Sequence, residues 1–185
     1  MLLTGIIVAI LVIIVFAFIG IYNSLVIKKK RVENAWSQIE VQLKRRHDLI
    51  PNLVNAVKGY MKFEKETLEA VINARAKAVS GKNIDERIKA EGELSGALGR
   101  LLAVFERYPE LKSNQQVSQL MEELTSTENR ITYARQFYND TVMKYNTSLE
   151  VFPSNIIARS FGFKPFPFFE AQAAEKETPK VDLTF

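Results

Sequence analysis

An unbroken apolar run at the start constrains this chain more than anything after it. Residues 5–21 read GIIVAILVIIVFAFIGI, and no charged side chain occurs before Lys28. Continued through Val26 and Ile27, the run exceeds the ~20 apolar residues that carry a helix across a bilayer. A cleavable signal peptide would place a basic segment ahead of a shorter core and end at a small-x-small site. Here nothing basic precedes the core, and Tyr22, Asn23 and Ser24 follow it without an Ala-x-Ala pattern. A buried core helix would be shorter and would carry a polar stripe. The expectation is therefore a retained single-span anchor over residues 1–27. Lys28, Lys29, Lys30 and Arg31 follow directly. By the positive-inside rule they place the body in the cytoplasm and Met1 outside. The same cluster offers charge to anionic lipid headgroups, although setting topology is the simpler role.

Beyond the anchor, a chain of 185 residues has room for one domain. Its 25 basic and 21 acidic residues leave a net charge of +4. That is too balanced for the concentrated basic face of a nucleic-acid binder. There is no cysteine, which excludes disulfides, thiol catalysis and cysteine-ligated metals. The single histidine, His47, leaves little material for a histidine metal cluster or a Ser-His-Asp triad. No cofactor and no metal is expected.

From Arg31 onward the period is helical. Val32, Ile39, Leu53 and Tyr60 recur every seven residues, with Arg46 in the same series. Trp36, Leu43, Ile50, Val57 and Val71 form the companion series, with Glu64 in its gap. Together they mark one helix face. No Gly-rich or Asn-Gly turn interrupts residues 28–79, so the anchor is expected to run directly into a long helix. Pro51 removes one backbone hydrogen bond and crowds the carbonyl of His47. Either the helix kinks and continues, or Asp48 caps a new helix with Pro51 in its first turn. The unbroken stripe favours continuation.

Gly81 marks a stop and is expected to take the left-handed conformation that closes a helix. Asn83 with Glu86 has capping-box spacing, and the following helix directs Ile84, Ile88, Leu94, Leu98, Leu101, Leu102 and Phe105 inward. Gly92, Gly96 and Gly99 each cost about 1 kcal/mol relative to alanine, and a close approach by a neighbouring helix would offset them. Pro109 ends this helix. Ser113 with Gln116 is a second capping box, starting a long helix from Asn114 to about Glu150. Val117, Leu124, Ile131, Tyr138 and Tyr145 are its core series. Leu120, Thr127, Ala134, Thr141 and Ser148 turn small and polar, which fits a bundle better than a long parallel coiled coil. Phe152-Pro153 breaks the helix, Ser154 can cap a short one, and a Phe- and Pro-rich stretch ends at Phe169. Residues 170–185 read as a mobile polar tail.

Arg46 in an apolar series needs an acid inside the bundle. Glu128, with Arg135 seven residues on, is the candidate. Arg45, Arg46, Asp48, Glu128, Arg130 and Arg135 form the expected polar network; docking a partner or lipid is the rival role for the Lys44–Asp48 stretch. His47 beside Asp48 reads as a surface or helix-end residue rather than a ligand. Phe161, Phe163, Phe166, Phe168 and Phe169 either seal the bundle end, meet a neighbouring protomer, or enter the membrane interface.

Several runs together resemble the LemA family. They are Ala35–Ile39 (AWSQI), Val41–Val54 (VQLKRRHDLIPNLV), Leu98–Leu102 (LGRLL), Glu106–Pro109 (ERYP), Glu128–Ile131 (ENRI), Phe152–Asn155 (FPSN) and Phe161–Phe163 (FGF). Ala134-Arg135, Tyr138-Asn139 and Tyr145-Asn146 add to them. The likeness covers essentially the whole chain. It implies a bacterial inner-membrane protein with one N-terminal span and a cytoplasmic antiparallel bundle, but no catalytic residues. A magnetosome member implies membrane-organising roles, and an association with an HtpX-type membrane zinc metalloprotease is implied for some members.

The expected fold is all-α. A transmembrane helix continues into an up-and-down antiparallel bundle of three long helices, the first kinked near Pro51, or four if the chain turns there. The expected divisions are 1–27 anchor, 28–151 bundle, 152–169 Phe-rich segment and 170–185 tail. The expected function is a non-enzymatic, self-associating scaffold that organises the inner membrane or partner proteins, its partners being membrane lipids, its own copies and a membrane protein. An adaptor for a membrane protease is the alternative, and no nucleic acid is expected to bind.

Overall fold

The computed structural model describes residues 1–61 and 64–169; the tail expected over 170–185 lies outside the described residues. Among the described residues the chain is all-α, with no strand. The helices are α1 (Leu2–Val57), α2 (Lys65–Ser80), α3 (Ile84–Phe105), α4 (Pro109–Ser113), α5 (Gln115–Glu150) and α6 (Ser154–Ser160). They form two compact units. One comprises residues 1–40 and 132–168; the other comprises residues 41–131, with Phe169.

In the first unit, α1 begins as a helix long and apolar enough to cross a membrane. Its large apolar side chains from Leu2 to Ile19 are all exposed. Further along, α1 packs against the C-terminal part of α5, which runs antiparallel to it. Val32, Ala35, Trp36 and Ile39 meet the α5 seam of Tyr138, Val142 and Tyr145, all buried. Trp36 and Tyr138 stack with ring centroids 5.5 Å apart.

After α5 the chain turns across a cis Phe152–Pro153 bond into α6. Ile157 and Ala158 of α6 are buried on Leu25 of α1. Gly162, at φ +68°, closes α6. The Phe163 amide donates to the Ala158 carbonyl (3.0 Å) and the Gly162 amide to Arg159 (3.3 Å). This is the double-bonded left-handed C-cap that favours glycine.

In the second unit, the C-terminal part of α1 packs with α2, α3, α4 and the N-terminal part of α5 in up-and-down order. Ile50, Leu53, Val57, Met61, Val71, Leu94, Leu101, Leu111 and Val117 fill one core. α1 continues through Pro51, so the chain does not turn there. It reverses instead after Val57, where the Val57 carbonyl accepts from the Tyr60 and Met61 amides. The apolar stripe read as one helix face from Val32 to Val71 thus belongs to two helices, α1 and α2, whose apolar faces meet each other. Tyr60, in the turn, is exposed.

Three local expectations change. Gly81 sits at φ −58°, outside the left-handed region; a Cβ there would meet Arg87 Cγ at 2.6 Å, so close approach to the first turn of α3 explains it. Gly99 has open space where its Cβ would be, so no neighbouring helix explains that glycine. Finally α5 is capped one residue later than expected: the Val117 amide donates to Asn114 Oδ1 (3.2 Å), while Ser113 donates back to the Pro109 carbonyl within α4. The cap of α3 has the expected residues, with the Glu86 amide donating to Asn83 Oδ1 (2.8 Å). Glu86 reaches back to the Lys82 amide (3.0 Å).

Candidate functional site

The second unit contains a buried ionic layer built on Arg46. Its place in the apolar series of α1 turns the guanidinium inward, where it is 1% exposed. Arg46 Nη1 donates to both carboxylate oxygens of Glu128 (2.6 and 2.8 Å) and to Ser95 Oγ (2.7 Å). Ser95 in turn donates to Glu128 Oε1 (3.0 Å). Arg46 Nη2 pairs with Glu91 of α3. His47 Nε2 lies 2.8 Å from Glu91 Oε1, close but too poorly aligned for a hydrogen bond, since neither atom has a hydrogen-bond partner among the described residues.

Glu91 is as buried as Arg46. Burial pushes its pKa up, but the His47 contact and the Arg46 charge outweigh burial and hold it below the ordinary value. The carboxylate therefore stays ionised, and the guanidinium balances it. On the inner side of the layer, Arg46 and Glu91 are closed to solvent, and there the chemistry is charge compensation inside a core. On its outer side, Glu128 is partly exposed and lines an open cleft with Ser95.

The other expected members lie elsewhere. Arg45 is exposed, 3.6 Å from Glu123. Asp48 is exposed and pairs with Lys44 at 2.8 Å, a hydrogen bond that lowers its pKa. Arg130 is exposed, and Arg135 falls in the first unit. Glu91 and Ser95 were missing from the expected network, and His47 is buried rather than superficial. The available signal for Glu91 was its position: an acid three and seven residues before Leu94 and Leu98 lies on the apolar face.

In the first unit the Phe-rich stretch is a strap on α5 and α1. Tyr145 donates to the Lys164 carbonyl (3.1 Å) and Tyr138 to that of Pro167 (2.9 Å). Asn146 both donates to and accepts from the Phe166 backbone (2.9 and 3.1 Å). Phe166 packs on Tyr145 at 5.5 Å. Phe163 packs on Tyr22 at 5.9 Å. Phe161 packs on Tyr22 and on Phe18, at 4.9 and 5.8 Å, yet stays more than half exposed. Phe168 is exposed and Phe169 buried.

Of the basic cluster, Lys30 pairs with Glu33 at 2.6 Å and Lys29 is exposed. Lys28 and Arg31 line an open cleft of ≈ 320 Å³ with Asn34, Phe137, Thr141 and Lys144. Burial, then the nearby Glu33 charge, raises the pKa of Tyr145 on the same helix as Lys144. Among the described residues no group of three or more His, Asp or Glu side chains is gathered to hold a metal.

The family model of the LemA family matches residues 35–183. The chain is 28% identical to Protein LemA of Metamycoplasma hominis, covering 91% of this chain and 77% of that one. It is 27% identical to Magnetosome protein MamQ 2 of Paramagnetospirillum magneticum, covering 86% of this chain and 68% of the relative. Against Magnetosome protein MamQ of Magnetospirillum gryphiswaldense the identity is 26%, with the same coverage. The matched region takes in the Arg46 layer, the strap and the seam between α1 and α5. With its long apolar N-terminal helix and a body that is all-helical among the described residues, this chain belongs to the LemA family.

Proposed function

We propose that this protein is a non-enzymatic, membrane-anchored helical scaffold, held in the bacterial inner membrane with its body in the cytoplasm, and that it self-associates to organise the membrane around it. The observation that carries this reading is an aromatic face left outside the folded seam. Tyr133 and Phe137 stand one turn apart on α5, 72% and 54% exposed, in the same unit as the anchor. Large aromatics paired on an outer helix face are the usual mark of a protein contact. The strap phenylalanines Phe163 and Phe166 are engaged within their own chain, which moves the self-association face to α5. Lys28, Arg31 and Lys144 add positive charge near the end of the anchor, suited to anionic headgroups.

Light scattering of the full chain in mild detergent tests this. The expected result is a mass several times the 21.1 kDa chain, falling to a monomer in the Tyr133→Ser/Phe137→Ser variant. A wild-type protein that stays monomeric at every concentration overturns the scaffold reading.

A further inference from the structure

We propose that the turn at the end of α6, Phe161-Gly162-Phe163, is a second membrane contact: a tip that enters the acyl–headgroup boundary beside the anchor. The proposal rests on α1 spanning the bilayer. Residues 2–19 carry the exposed large apolar side chains, which at ~1.5 Å per residue is about 27 Å of helix, close to the ~30 Å hydrocarbon core. From Ile21 onward α1 becomes partly covered, because Ile157, Ala158 and Phe163 close over Tyr22 and Leu25. The hydrocarbon edge thus falls at the turn of α1 between Phe18 and Tyr22.

Phe161 stacks on those two residues. Its ring therefore sits at the level where lipid begins, and its exposed half continues the lipid-facing surface of the anchor. Val151, Phe152 and Ile156, in the stretch leading from α5 through α6 to this turn, are also exposed apolar side chains. From Val151 to Phe169 there is no acidic residue, while Arg159 and Lys164 are both exposed cations. Apolar side chains with nearby cations and no acids fit the boundary between acyl chains and anionic headgroups. Gly162 supplies the positive φ that lets Phe161 and Phe163 bracket Tyr22 from one tight turn. Two contacts with the bilayer, one through it and one at its surface, would fix the depth and rotation of α1 in a way a single helix cannot.

The chain has no cysteine, so any introduced one is unique for spin labelling. The full chain is placed in nanodiscs containing anionic lipid, with labels at Phe161→Cys, Ile156→Cys, the exposed Ser126→Cys of the second unit and, within the span, Val12→Cys. Collision with lipid-soluble oxygen is compared with collision with a water-soluble nickel chelate. The tip is supported if the labels at 161 and 156 collide more with oxygen than with chelate, while the label at 126 does the reverse. Chelate accessibility at 161 and 156 equal to that at 126 overturns it. So does protection from both reagents, which would mean that protein covers the corner. A label at 12 open to the chelate would instead refute the span itself, which keeps the two failures apart. The label at 156 keeps the test alive if cysteine at 161 disturbs the turn.

Discussion

Arg75 of α2 donates its Nε–H to the backbone carbonyl of His47 at 2.7 Å, and His47 is the residue whose carbonyl Pro51, four positions on, leaves without a helical partner. The guanidinium supplies from the neighbouring helix what proline withholds, so α1 passes through Pro51 without ending. Arg75→Ala is expected to cost about 1–3 kcal/mol, the range for a hydrogen bond to a charged donor whose buried acceptor is left unpaired. Pro51→Ala restores an N–H to the same carbonyl, so in that background the cost should shrink. Chemical denaturation of the four proteins of this double-mutant cycle measures the coupling; additive effects would separate Arg75 from Pro51.

The two carboxylates on Arg46 differ in burial, and their substitutions should differ accordingly. Glu91 is 1% exposed and Glu128 38%. Glu91→Gln breaks a buried ion pair and is expected to cost about 3–5 kcal/mol. Glu128→Gln, partly screened by water, should cost about 1 kcal/mol. Equal losses in thermal unfolding would contradict this ordering.

Acid should act through Glu91. Its pKa is lower in the folded chain than the ordinary 4.5. Such a group contributes stability that is fully present above the unfolded value and is lost as pH falls through the folded one. The gap in melting temperature between wild type and Glu91→Gln is therefore expected to hold steady down to about pH 4.5 and to close below it. Calorimetry across that range reads the gap directly; one that is unchanged in acid would remove Glu91 from the account.

Asn146 clasps the strap through both ends of its amide. Asn146→Ala leaves the Phe166 amide and carbonyl without those partners, and the strap should loosen while the second unit keeps its stability. Hydrogen exchange at the Phe166 amide is the measurement. Protection should fall by at least about tenfold, the equivalent of about 1.4 kcal/mol, with no change at amides in the middle of α3.

Gly99 invites a stabilising substitution. A Cβ there meets nothing, so Gly99→Ala should raise stability by up to about 1 kcal/mol through helix propensity. The glycine lines an open cleft of ≈ 230 Å³ with Ser95, Leu98, Leu102, Leu124, Thr125 and Glu128. A loss of stability in the isolated protein would mean that the backbone there is under a constraint beyond helix propensity.

Periodicity carried most of the fold. The two heptad series of α1 and the core series of α5 are buried, because a residue's side of a helix follows from its spacing alone. The long apolar helix at the start was legible for a similar reason: nothing but a lipid-facing or deeply buried helix tolerates so long a run without charge. Arg46 stood in an apolar series and so needed an acid, with Glu128 as a candidate, since a charge pointing into a core must find its opposite.

What the spacing could not supply were choices between partners and the points where one helix becomes two. The stripe from Val32 to Val71 reads as one face, yet it is two faces folded together after Val57, because apolar residues at helical spacing look the same on either side of a reversal. The stripe favoured continuation through Pro51 but did not name the group that would satisfy the carbonyl proline orphans; that is Arg75, far along the chain. Glu91 and Ser95 join Arg46 only when α3 is laid beside α1, and Asn146 finds Phe166 only when the strap folds back along α5. Local sequence decides which groups must be satisfied; tertiary packing alone decides which distant residue satisfies them.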